Sequence, residues 1–97
     1  MRQFSGINLR DERFELQEWD LISSGSFENC QLHAGPSIQH LRLTGLHCDD
    51  ACSFFYGGAQ VSVAEWAELL KAGRPNQDIQ ILDVMHGRTY VTDSLFG

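Results

Sequence analysis

Residues 61–75, VSVAEWAELLKAGRP, read as a helix with both ends marked. The Ser62 side chain can accept from the backbone of Glu65 while Glu65 reaches back, and Val61 before the cap can pack on Trp66, together a capping box and a hydrophobic staple. Val63, Trp66, Ala67 and Leu70 follow the i, i+3, i+4, i+7 spacing that lays one apolar stripe on a core. Gly73 admits a left-handed cap and Pro75 cannot continue the helix. The pattern predicts one main helix over about 62–72.

Downstream, DIQILDVMHGRTYVTD (78–93) is rich in β-branched residues, with Ile79 and Ile81 on one face and His86-Gly87 between two β-rich runs. A two-residue turn ending in Gly predicts a carboxy-terminal hairpin over about 78–93. Upstream, Gly25 and Gly35-Pro36 punctuate runs whose apolar residues (Phe27, Cys30, Leu32; Ile38, Leu41, Leu43, Leu46) alternate more as strands than as helices. Residues 9–22 fit either state: Phe14 and Leu16 alternate, whereas Leu9 with Leu16 and Phe14 with Leu21 are seven apart. The expected fold is α+β, a small antiparallel sheet of four to six strands packed on the main helix with the hairpin at its edge.

At 97 residues the chain is expected to form one domain spanning 1–97. With 42% hydrophobic and 21% charged residues it can bury a core. Thirteen acids against seven bases give a net charge of -6, and residues 1–20, 21–60 and 61–97 each contribute -2, so no detachable acidic tail is present. One Lys and six scattered Arg supply no basic patch, which argues against direct nucleic-acid binding. Met1 to Leu9 lacks a signal-peptide apolar run and no stretch approaches a membrane span. Cys30, Cys48 and Cys52 make an odd count that suits a reducing compartment. A cytoplasmic protein free of the membrane is expected.

No phosphate-binding loop, dinucleotide fingerprint or nucleophile elbow occurs, and an enzyme is not expected. Cys30-x2-His33 followed by Cys48-x3-Cys52 is the candidate zinc set, since two thiolates and an imidazole brought close would suit tetrahedral zinc; it would make the chain a small zinc-stabilised adaptor. The competing reading makes Cys30 and Cys52 small buried hydrophobes, and no cofactor is then expected. Large apolar residues at Phe4, Leu9, Phe14 and Trp19 are five apart, and residues 27–32, FENCQL, resemble one unit of the pentapeptide repeats that stack into a square β-helix. That resemblance covers about 30 residues and implies a structural or interaction protein built of stacked coils.

Asp11, Glu12, Glu15, Glu18 and Asp20 form the densest charge cluster, and Glu65 and Glu68 could extend it. On a strand, Glu18 and Asp20 would be about 7 Å apart, close to twice the roughly 3.4 Å rise between phosphates of one nucleic-acid strand. Carboxylates so arranged can occupy a groove built for DNA. Small, acidic, Lys-poor and motif-free, the chain looks like the phage-encoded inhibitors of host defence, the anti-CRISPR and anti-restriction proteins, several of which mimic DNA. That resemblance implies a non-enzymatic inhibitor whose carboxylates engage the basic surface of a host nucleic-acid-binding protein or complex.

Overall fold

Inward-facing apolar residues recur from one turn of the chain to the next. Phe4, Ile22, Leu43 and Ile81 share one register position; Leu9, Phe27 and Cys48 share a second, and Phe14, Leu32 and Phe54 a third. The computed structural model, which describes residues 2–72 and 77–91, shows why. The chain winds through β1 (Gln3–Arg10) and β2 (Arg13–Glu15), then β3 (Asp20–Glu28) and β4 (Gln31–Ala34), then β5 (His40–Cys48) and β6 (Ser53–Tyr56), each turn lying parallel on the one before. After the third coil, β7 (Ala59–Val61) returns antiparallel to β6, α1 (Val63–Leu70) crosses the coil end, and β8 (Asp78–His86) adds a parallel strand to β5. Finally β9 (Thr89–Val91) pairs antiparallel with β8.

The expected single antiparallel sheet packed on one main helix is therefore replaced by two sheets, β1-β3-β5-β8-β9 and β2-β4-β6-β7, parallel except at β7 and β9. Alternation of apolar residues sets which face of a strand is buried but not the direction of its neighbour. The helix itself is short and sits at one end of the stack. Ser62 is its N-cap, with Oγ accepting from the Glu65 N–H at 3.1 Å. Trp66 is fully buried; its Nε1 donates to the Phe55 carbonyl at 3.1 Å and its ring lies 5.0 Å from that of Phe54. The helix thus lids the third coil. Gly73 and Pro75, the expected helix stop, lie outside the described residues, as do the last two residues of the expected hairpin. The hairpin turn is Gly87-Arg88 rather than His86-Gly87, because His86 pairs with Thr89 and Gly87 takes the left-handed conformation at φ 59°. Among the described residues no helix is long and apolar enough to cross a membrane.

Each long strand is bent at the same register position. Gly6, Ser24, Gly45 and Asp83 are skipped by the strand pairing and have φ of 69°, 73°, 71° and 57°. A left-handed residue turns the chain without breaking the ladder, so that in β3 Asp20 and Ile22 before the bend and Gly25 and Phe27 after it all point inward. Gly25 stands between Ile7 and Leu46, and a Cβ there would meet Ile7 Cγ2 at 2.8 Å and Phe27 Cε1 at 3.0 Å. The neighbouring coils fill the space a side chain would need.

Two substitutions in the bend column test this arrangement by urea unfolding. Ser24→Gly relieves left-handed strain and should stabilise the domain by about 0.5–1 kcal/mol, whereas Gly45→Val should destabilise it by about 2 kcal/mol or more. Gly25→Ala should cost about 1–3 kcal/mol by overpacking.

Candidate functional site

A second column of turns closes the coils. Between β1 and β2 the chain turns at Asp11 (φ 56°), and between β3 and β4 at Asn29 (φ 49°), the Asx residues that best tolerate this conformation. The turns are tied to one another. Asn29 Nδ2 donates to Asp11 Oδ1 at 2.7 Å, and the Asn29 N–H donates to Asp49 Oδ1 at 3.1 Å, an oxygen that also accepts from the Ala51 N–H at 3.1 Å. The Asn29 N–H, opposed by partial desolvation and helped by Ala51 and Cys52, holds the Asp49 carboxyl below its usual range.

This column gathers acids that are far apart in the chain. Asp11 and Glu12 from the first coil, Glu28 from the second, and Asp49 and Asp50 from the third are all exposed along one corner. The Asp50 carboxylate reaches Gly87, so the ridge runs on to the end of β8. Bases oppose it: Arg10 pairs with Glu28 at 2.7 Å, and Arg13 lines the same recess as Asp11 and Glu12. Glu28, Asp49 and Asp50 were outside the acidic cluster read from the sequence; the signal for them is the Asx turn that recurs one coil later.

The remaining acids of that cluster are dispersed. Glu15 is exposed on β2 and paired with Arg13 at 2.7 Å. Glu18 accepts from the N–H groups of Gln39 at 2.9 Å and His40 at 2.6 Å. Burial pushes the Glu18 carboxyl up, but those two N–H groups and His40 together bring it below its ordinary value. Asp20 is not on the surface at all. It is 1% exposed, held by Arg2 Nη2 at 2.6 Å, by Arg2 Nε at 2.8 Å and by the Gln17 N–H at 2.8 Å. The expected phosphate-like pair of Glu18 and Asp20 is therefore absent, because one carboxylate caps backbone and the other is a buried counter-ion. Glu65 and Glu68 are exposed on α1, at the lidded end.

The three cysteines of the candidate zinc set do come together. Cys30 Sγ lies 3.2 Å from the Glu28 carbonyl, Cys52 Sγ lies 3.3 Å from the Phe27 carbonyl, and the Cys30 N–H points at Cys52 Sγ at 3.5 Å. All three are buried, and burial raises the thiol pKa of both Cys48 and Cys52. His33 stands apart from them, stacked on Phe55 at 4.4 Å with Nε2 3.1 Å from Gln31 Oε1. Among the described residues no group of three or more His, Cys, Asp or Glu side chains is placed to hold a metal ion. Elsewhere, exposed Trp19 (φ 67°) stacks on His40 at 3.7 Å and borders a recess of about 270 Å³ with Arg42 and Asp78.

Two solution tests follow from this geometry. Alkylation of native protein by iodoacetamide should proceed only as fast as the domain opens, and all three thiols should react at once in denaturant. The depressed carboxyls of Glu18 and Asp49 stabilise the fold above their unfolded values of about 4.3 and 3.9, and that contribution is lost as pH falls through their lower folded values. Acid unfolding should accordingly steepen below about pH 4, and Glu18→Gln and Asp49→Asn should each flatten the profile in circular-dichroism titrations. No family model, curated protein or solved structure matches the chain.

Proposed function

We propose that the protein is a non-enzymatic binding domain whose acidic ridge occupies the basic, nucleic-acid-binding surface of a host protein or complex in the cytoplasm, in the manner of the DNA-mimicking phage inhibitors. The observation that supports this reading is the ridge of Asp11, Glu12, Glu28, Asp49 and Asp50, in which Asn29 ties Asp11 of the first coil to Asp49 of the third by hydrogen bonds. Coils stack about 4.8 Å apart, so three coils set five carboxylates along about 10 Å. Duplex DNA carries one charge per about 1.7 Å, or about six over the same length. Arg10 beside Glu28 and Arg13 beside Asp11 and Glu12 lower the net figure on the protein to about half that of the duplex. A basic cleft shaped for phosphates would meet this edge with its Lys and Arg side chains. Electrostatic steering would speed the encounter and make it salt-dependent. Neither catalysis nor a cofactor enters this mechanism.

The test is capture from nuclease-treated lysate of the native host on immobilised wild type and on the triple variant Glu12→Gln, Glu28→Gln, Asp50→Asn, which leaves the Asn29 ties intact. A partner of the proposed kind is released by added duplex DNA and by raising salt from about 50 to 200 mM, and binds the triple variant at least about tenfold more weakly, or about 1.4 kcal/mol. Equal binding by the variant, or retention indifferent to salt and DNA, would overturn the proposal. The pair Glu65→Gln, Glu68→Gln reports whether the contact reaches as far as the helix.

A further inference from the structure

The two ends of the stack are unlike. At the third coil, β8 lays Ile81 on Leu43 and Val84 on Leu46, α1 lays Trp66 on Phe54, and all six are fully buried. At the first coil, the corresponding Phe4, Ile7, Leu9 and Phe14 are only half-buried, although the same positions in the second coil, Ile22, Phe27 and Leu32, are 0–1% exposed. Arg2 covers part of this face, its guanidinium 5.3 Å from the Phe4 ring and 5.6 Å from that of Phe14. Among the described residues β1 and β2 have no strand on their outer edges.

We infer that this end is a docking face for a second copy of the same chain, joined by antiparallel pairing of β1 with its counterpart about a two-fold axis at Ile7. The edge is self-complementary in that register. Gly6 stands out of the ladder, so the paired positions of β1 are Gln3, Phe4, Ser5, Ile7, Asn8, Leu9 and Arg10. Centred on Ile7, the inward Phe4 meets Leu9 of the second copy and Ile7 meets Ile7, while the outward Ser5 meets Asn8 and Gln3 meets Arg10. No like charges face each other, and apolar side chains fall opposite apolar ones, the arrangement that cross-strand pairing favours. The hand of the contact is isologous, so it closes at two copies rather than growing into a fibre. The pairing would run the length of β1, eight residues or about 26 Å, over the half-buried Phe4, Ile7, Leu9 and Phe14. The exposed edge strand is thereby paired, which removes the aggregation hazard of an open sheet end.

The experiment is light scattering on eluting protein loaded at about 100 μM, well above the Kd of most standard-size interfaces. Wild type should elute at twice the 10.9 kDa of one chain. Ser5→Lys with Asn8→Lys places exposed lysines opposite each other and should give a folded monomer with the circular-dichroism spectrum of wild type. Ser5→Glu with Asn8→Glu should do the same, and mixing the two variants should restore the dimer mass. A monomeric wild type would overturn the inference, as would a dimer that persists in both variants. Monomers that fail to recombine on mixing would equally exclude this register.

Discussion

Everything in this structure depends on coils lying in register, so that each residue of one turn rests on its counterpart in the next. Parallel stacking satisfies backbone groups between coils instead of within hairpins, and it requires the chain to bend at the same place on every turn. The bend is met by a left-handed residue at Gly6, Ser24, Gly45 and Asp83. Two of these are glycines, for which the conformation is free of strain; Ser24 and Asp83 accept it at a cost of order 1–3 kcal/mol. The uniform bend keeps Phe4, Ile22, Leu43 and Ile81 in one column and closes a core in which Ile22, Leu43 and Ile81 are wholly buried.

The same repetition organises the surface. A turn that recurs on each coil places side chains from distant parts of the sequence about 4.8 Å apart, and where the turn-forming residue is Asp or Asn the result is a line of carboxylates. The ridge is thus a by-product of turn chemistry that binding can exploit. Asn29 links two of its acids, the side chain and backbone N–H tying Asp11 below to Asp49 above. Asp20 follows the opposite logic. Buried and bridged to Arg2, it fastens the open first coil, and its charge is spent inside the molecule rather than on its surface.

Local signals were legible in the sequence, long-range ones were not. Ser62, Glu65 and the Val63–Trp66–Leu70 stripe marked the helix because capping and periodicity are encoded within one turn. The five-residue spacing of Phe4, Leu9 and Phe14 falls on inward positions of the first coil, with Ile7 a further one between them, and Phe27 and Leu32 align with Leu9 and Phe14; Trp19, next in that series, is exposed instead. Strand direction has no local signal, since residues aligned on one position are 18, 21 and 38 residues apart. With β7 and α1 inserted before β8, no fixed period survives for the eye to find. Left-handed bends at Ser24 and Asp83 carry no glycine signal, and the partner of Asp20 lies eighteen residues away at Arg2. The acidic cluster was visible as composition, but which acids share a corner is a property of coil length.

Parallel stacking of β1, β3, β5 and β8 is the claim on which the ridge and the open end both rest. Nuclear Overhauser contacts in a fully protonated, isotopically labelled sample measure it directly. The account predicts contacts among the side chains of Phe4, Ile22, Leu43 and Ile81 in series, with close Hα–Hα pairs within one chain confined to the β6–β7 and β8–β9 hairpins. Close Hα–Hα pairs between β3 and β5, the mark of an antiparallel sheet, would contradict it.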